Sequence, residues 1–261
     1  DPVKEKLWLY NLHYFDDLNS KDFVVRESIH FKFIDNWIKQ NVACHGNGWE
    51  PYPLSLRLVN WVKWFSKQDI VEQKYLTSIL LQASALSQQL EYHILGNHLF
   101  ANGKALTFIG CYLQGKEAER YLDMGLNLLD RQVPEQFLSD GAHFELSPMY
   151  HEIVLWDLLE LINLAKTSEN AKVLKYLPYW SAVAEKAIRW LRCMIHPDGE
   201  ISFFNDAAIG IAASPKEIFS YAQSLGLLVA DHLPEMVTHK VSGYSRLTLS
   251  RYSLIMDHAN V

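Results

Sequence analysis

KYLTSILLQASALSQQLEYHILGNHLFANGKALTFIGCY, residues 74–112, decides the fold class. Leu76, Ile79, Leu80, Ala83, Leu86, Leu90 and Ile94 recur at intervals of three and four residues. That period lines up side chains on one helical face and predicts a helix over 74–96. Gly96 and Asn97 interrupt it, and a second helix is expected over 98–112, followed by Gly115. The stretch therefore reads as two helices around a junction rich in Gly, Asn and His.

The same unit recurs in both directions. Toward the C-terminus, helices are expected over 116–132 (ending near Pro134), 149–165, 176–195 and 215–228. Ser214 is the expected N-cap of the last, with Pro215 at its first position. Toward the N-terminus, 54–66 carries Leu54, Leu58, Trp61 and Phe65 on one face, and 23–40 offers Phe23, Ile29, Phe33, Trp37 and Ile38. The aromatic residues 1–20 have no clean period and read as a lead-in packed on the helices. Four loops, 44–53, 96–103, 139–148 and 197–210, are rich in Gly, Asn, Asp and aromatics and recur about every two helices. Stacked helical hairpins whose loops at one end line a shared site behave this way. An incomplete (α/α) toroid satisfies the pattern, as does a right-handed solenoid, and no strict repeat is present.

After Pro234 the pattern changes. Leu247, Leu249, Tyr252, Leu254 and Met256 alternate with polar residues, and Gly243 breaks any helix. Two strands are expected, opening a β layer that two strands alone would not stabilise. The expected organisation is a helical domain over 1–236 and, over 237–261, the start of an antiparallel β domain whose remainder is absent.

Composition narrows the chemistry. Net charge is −6, and Lys and Arg form no stripe, which argues against nucleic acid as a partner. No stretch approaches the apolar length of a membrane span, and no signal peptide stands at the start. Cys44, Cys111 and Cys193 are odd in number and widely spaced; they read as buried free thiols. No HExxH, P-loop, GxSxG or dinucleotide fingerprint occurs, so neither a metal nor a cofactor is expected. The eight Trp, thirteen Tyr and twelve Phe suit a packed helical core, and equally a groove offering flat faces to sugar rings.

The rich loops hold the candidate site residues. Asn97 and His98 sit at a helix–loop junction, with Glu91, Tyr92 and His93 just before and Asn102 and Gly103 close behind, and adjacent amide and imidazole donors there can grip a carboxylate; a helix cap plus a surface histidine is the plainer reading. In 141–152, Pro148 biases Ser147 out of the helical region and starts a helix at once. Tyr150 and His151 then fall in its first turn, where the helix dipole favours negative charge. A packed ring is the plainer role for Tyr150. His143 and Glu145 precede it. In 44–53, Trp49 and Tyr52 could stack on sugars beside Asn47, and Arg57 could pair with Glu50 or with an acidic substrate. Asn205 and Asp206 could form a cleft wall or belong to an ordinary loop. Glu145, Glu152, Asp198 and Asp206 could supply two carboxylates for glycoside hydrolysis, with Glu145 and Asp206 the first pair.

Taken in order, GNGWEPYP…R..NW, EYHILGNHLFANGKAL, DGAHFELSPMYH and PDGEISFFNDA resemble the heparinase II/III family of polysaccharide lyases across nearly the whole chain. The Asn-His pair and the E-x-S-P-x-Y-H segment are the specific parts. The lead-in LYNLHYFDDLN looks most like members that accompany bacterial surface-polysaccharide gene clusters. The resemblance implies an N-terminal incomplete (α/α) toroid joined to a C-terminal antiparallel β-sandwich. It also implies β-elimination on a uronic acid-containing polysaccharide, with periplasm and cytoplasm both open as the compartment. It assigns Asn97 and His98 to the uronate carboxylate and Tyr150 to proton transfer, and places a further catalytic histidine in the β-sandwich beyond Val261. On that reading an acidic polysaccharide or oligosaccharide is the partner, and the fragment alone turns over weakly or not at all. The face left uncovered by the β domain favours self-association. The alternative carried alongside is a non-catalytic glycan-binding or scaffolding module in surface polysaccharide assembly.

Overall fold

A computed structural model describes residues 4–94, 96–228, 232–250 and 252–259. Ten helices are found among them: α1 Lys6–Asn11, α2 Glu27–Gln40, α3 Pro51–Phe65, α4 Gln73–Ser87, α5 Asn97–Tyr112, α6 Lys116–Gln136, α7 Pro148–Thr167, α8 Ala171–Leu174, α9 Leu177–Cys193 and α10 Pro215–Ser224. Short 3₁₀ turns at Asp16–Asn19, Phe23–Arg26 and Asn47–Trp49 shape the lead-in and the first rich loop. Three strands follow: β1 Met236–His239, β2 Tyr244–Thr248 and β3 Ser253–Asp257. The chain divides into two compact units, Asp1–Leu129 and Asp130–Val261.

In the first unit α3 packs on α5 and α4. The expected face of α3 is the core face: Leu54, Leu58, Trp61 and Phe65 are all buried. Helix α5 is buried almost all round, from Leu99 to Gly110, so its apolar residues show no single stripe. Close approach of α6 requires the glycines. A Cβ on Gly110 would stand 2.6 Å from the Leu122 backbone, and one on Gly125 would stand 2.5 Å from the Thr107 hydroxyl.

The second unit packs α7 on α9, with α10 against both. The antiparallel sheet runs β1-β2-β3, with Leu247 opposite Leu254 and Tyr244 opposite Asp257. Tyr244 joins Trp190, Cys193, Met194 and Ala142 in a buried cluster. Asp140 ties the 139–148 loop to the turn between β1 and β2, where its Oδ2 accepts from Ser242 N at 2.8 Å and Val241 N at 3.1 Å.

Local signals behave as expected at several ends. Ser214 caps α10 in a capping box with Glu217, and Ser147 is extended before Pro148 at the start of α7. Elsewhere tertiary context wins. Helix α4 stops at Ser87 rather than 96: the Glu91 N–H goes to the Asn102 side chain at 3.0 Å, and Gln89 Nε2 donates to the Trp49 carbonyl at 2.8 Å. Leu90 and Ile94 accordingly leave the core. The core stripe of α2 is His30, Ile34 and Trp37, and Ile29 and Phe33 are exposed. Helix α6 runs through Pro134 to Gln136, since a proline near a helix end removes only one late hydrogen bond. Helix α10 ends at Ser224, and Gly226 takes a left-handed conformation after it. The tail forms three strands, one more than expected. Of the cysteines, only Cys193 is buried; Cys44 is exposed and Cys111 intermediate.

Candidate functional site

The first unit places Asn97 and His98 at the start of α5, after Gly96 in a conformation (φ 91°, ψ −153°) that other residues rarely adopt. Both side chains are held from one side by Tyr52, on the first turn of α3. Asn97 Nδ2 donates to the Tyr52 hydroxyl at 3.1 Å, and the Tyr52 ring stacks on the His98 imidazole with centroids 4.3 Å apart. His98 Nδ1 meets Glu91 Oε1 at 2.9 Å. The other Glu91 oxygen accepts from Asn102 Nδ2 at 3.0 Å, and Asn102 also donates to Ser55 Oγ. Glu91 and Asn102 are buried, whereas the His98 side chain keeps 29% of its surface open. A ridge of amide and imidazole groups thus stands at a helix N-terminus, where orphan N–H groups and the dipole favour an anion.

The other residues singled out in 44–57 are placed differently. Trp49 is buried against Trp37 with ring centroids 5.6 Å apart, so it offers no platform to a sugar. Tyr52 already carries His98 on one face. Arg57 pairs with neither Glu50 nor the surface. It is fully buried, donating to the Gly48 carbonyl at 2.7 Å, Gln82 Oε1 at 2.8 Å and the His13 carbonyl at 3.2 Å, with its guanidinium over the Trp37 ring. Glu50 instead accepts from the Tyr10 hydroxyl and pairs with Lys6 at 2.7 Å, fastening α1 to the loop. Asn47 stands half-buried in the 3₁₀ turn.

In the second unit Tyr150 is the third residue of α7 and half-buried, and its hydroxyl has no hydrogen-bond partner among the described residues. His143 and His151 are not substrate-facing. Both are wholly buried, and they hold one another: His151 Nδ1 accepts from the His143 N–H at 3.1 Å, while His151 Nε2 donates to the Ala187 carbonyl at 3.0 Å. His143 Nε2 meets Gln136 Oε1 at 2.7 Å. Glu145 is half-buried. Asn205 and Asp206 are exposed in left-handed backbone, with Asn205 Nδ2 donating to the Leu146 carbonyl and the Tyr244 hydroxyl, each at 3.2 Å. Among the described residues no group of three or more His, Cys, Asp or Glu could hold a metal ion, and no helix is long and apolar enough to cross a membrane.

Burial of the 139–148 loop and of the first turn of α7 also sets a pH dependence. It pushes His143 down to about 4 and, together with the neighbouring His143, His151 down to about 3. It pushes the Glu152 carboxyl up to about 8, with Glu200 adding to the effect. Unfolding lets both histidines take up protons below their ordinary value, so stability is lost as pH falls from about 6.5 toward 4. For Glu152 the sign is reversed. The folded state keeps a proton that the unfolded chain releases, so stability is lost as pH rises from its ordinary carboxyl value through about 8. Glu152→Gln is therefore expected to become more stable relative to wild type as pH rises from 6 to 8, by up to about 1.4 kcal/mol per pH unit. Calorimetric melting across that range measures it, and parallel wild-type and variant curves would contradict a neutral Glu152.

Two units of helical hairpins followed by antiparallel strands define a helical-hairpin protein of (α/α) toroid type. The heparinase II/III N-terminus model matches residues 19–225, and the chain belongs to that family. The heparin-sulfate lyase of Bacteroides stercoris is 26% identical over 183 residues, covering 67% of this chain and 27% of that enzyme. The heparin-sulfate lyase of Bacteroides thetaiotaomicron is 26% identical over 145 residues, covering 51% and 21%. Among solved structures, heparinase III aligns with a TM-score of 0.67 at 21% identity, over 90% of this chain and 42% of that one. The heparan sulfate lyase of Pedobacter heparinus aligns with a TM-score of 0.62 at 18% identity, over 94% and 43%. These likenesses show the fold class, (α/α) toroid-type hairpins followed by antiparallel strands. The chain spans little more than a quarter of these curated relatives at most, and under half of these solved chains.

Sequence reasoning placed Glu91 and Asn102 beside the Asn97–His98 pair without giving either a role, and missed Ser55; these three residues hold the ridge. Glu91 lies seven residues before His98, and a continuous helix over 74–96 would have pointed it elsewhere. Only the turn at 88–96 brings it back.

Proposed function

We propose that the whole protein is a polysaccharide lyase acting on a uronic acid-containing bacterial polysaccharide by β-elimination. A base removes the C5 proton, the C4–O4 bond breaks with its electron pair leaving on oxygen, and an acid protonates O4. The products are a new non-reducing 4,5-unsaturated uronyl end and a free hydroxyl on the leaving sugar. The C5 proton becomes acidic enough only when charge on the adjacent carboxylate is countered in the transition state. The observation that supports this reading best is the Asn97–His98 pair at the N-terminus of α5, held by Tyr52 and Glu91 and open on the imidazole side. In this reading Asn97 and His98 bind the uronate carboxylate and Tyr150 transfers the proton, with Asn47, Tyr52, Glu145, Asn205 and Asp206 as neighbours of the glycan.

The domain division belongs to the same proposal. Residues 1–236 form the helical lyase domain, and 237–261 begin a β-sandwich that continues beyond this chain. The exposed Met236 on β1 and Leu254 and Met256 on β3 fit a layer awaiting cover, and left bare they favour self-association. The test is incubation of the whole protein with glucuronate-, guluronate- and galacturonate-containing polysaccharides. Ultraviolet absorbance of the unsaturated uronyl end is the expected result. New reducing ends without that absorbance would indicate hydrolysis, and saturable binding without cleavage would indicate a glycan-binding module; either replaces the proposal.

A further inference from the structure

We infer that Glu91 is a positioning residue that keeps the proton of neutral His98 on Nδ1 and turns Nε2 toward the open side of the junction. The inference deepens the reading of Asn97 and His98 as substrate-facing residues and rests on it. A carboxylate only accepts hydrogen bonds, so at 2.9 Å from Glu91 Oε1 the His98 Nδ1 must carry hydrogen. The opposite edge of the ring, with Nε2, then faces away from Glu91. Ring rotation is blocked on two counts: Tyr52 stacks on its face and Glu91 holds its edge. Neutral His98 thus presents a lone pair at Nε2, and protonated His98 presents an N–H there. The same ring serves as proton acceptor or as carboxylate donor without reorienting.

The surroundings explain why this geometry is maintained. Asn102 is fully buried and fixed at both ends of its amide: Oδ1 accepts the Glu91 N–H, and Nδ2 donates to Ser55 Oγ and Glu91 Oε2, each contact 3.0 Å. It cannot flip without losing these bonds. Glu91 therefore receives one donor on each oxygen, from Asn102 and from His98. An amide at position 91 can satisfy only one of them. With Asn102 fixed, the Gln oxygen must face Asn102 and its NH₂ must face His98 Nδ1. His98 must then accept at Nδ1 and carry its hydrogen on Nε2.

The Glu91→Gln chain, labelled with ¹⁵N-histidine, tests this directly at a pH where His98 is neutral, with His98→Gln identifying the resonance. The expected result is protonated Nδ1 in wild type and protonated Nε2 in Glu91→Gln, with helical circular dichroism unchanged. In the whole protein kcat/KM for the uronate glycan is expected to fall about tenfold or more in Glu91→Gln, because the tautomer at the substrate edge is wrong. A merely structural Glu91 would alter melting and leave the tautomer alone. Protonated Nδ1 in both proteins overturns the inference, and so does protonated Nε2 in wild type, a result that holds even where Glu91→Gln does not fold. Failure of the lyase reading shows separately, as absence of unsaturated product from the wild-type whole protein while the tautomer switch persists.

Discussion

Tyr150→Phe is expected to slow elimination by the whole protein about 10²- to 10⁴-fold, the usual contribution of a positioned proton-transfer group. Stability should barely change. Tyr150 is half-buried, and its hydroxyl has no hydrogen-bond partner among the described residues, so its removal orphans no donor or acceptor. The ring stays, and with it the packing on the first turn of α7. A stability change within about 0.5 kcal/mol is anticipated, as for a substitution that breaks no buried contact. Release of unsaturated uronyl product and a melting curve on the same preparation measure the two halves. Full activity in the variant would remove Tyr150 from proton transfer, whatever the fate of the rest of the site.

Arg57→Ala is expected to have the largest effect on stability, about 3–5 kcal/mol. Arg57 is a fully buried cation whose desolvation lowers its affinity for a proton, yet the structure keeps it by surrounding it with acceptors. Its donors reach the carbonyls of Gly48 and His13 and the side chain of Gln82, and Trp37 covers its face. Truncation leaves two buried acceptors and the half-buried His13 carbonyl without their donor and opens a cavity beside Trp37. The first rich loop and the lead-in then lose their common anchor. Melting should fall by about 10 °C for a protein of this size. Amide exchange should accelerate first around residues 13–14 and 46–50. A melting temperature within about 2 °C of wild type would show that the guanidinium is not what holds them.

These expectations divide the residues named from sequence into two sets. His98 and Tyr150 lie at helix starts with half-buried side chains, and Asn97 beside His98 is buried with its amide held by the Tyr52 hydroxyl; Gly96 and Pro148 make these helix starts legible in advance. Trp49, Arg57, His143 and His151 carry the same kinds of side chain in equally suggestive loops, and the fold buries all four. Nothing in their local pattern separates them from the first set. A tryptophan is equally suited to a sugar face and to the Trp37 ring, and an arginine equally to a uronate and to three carbonyls. The neighbour that decides lies tens of residues away in the chain.

The identity and order of the eight longer helices followed from the sequence by itself, because a period of three to four residues, a proline at N1 and a Ser–Glu capping box act within one or two turns; the short α1 and α8 carry no such signal and were not expected. The family resemblance was legible for the same reason, since its motifs are local. Tertiary structure alone decided where α4 stops, which stripe of α2 is core, and which polar side chains serve the fold. It also brought Glu91 to His98, because a backbone N–H that would have continued α4 found a buried carboxamide on the next helix instead. Hydrogen bonds inside a helix depend on neighbours in sequence, whereas burial and the pairing of buried polar groups depend on neighbours in space.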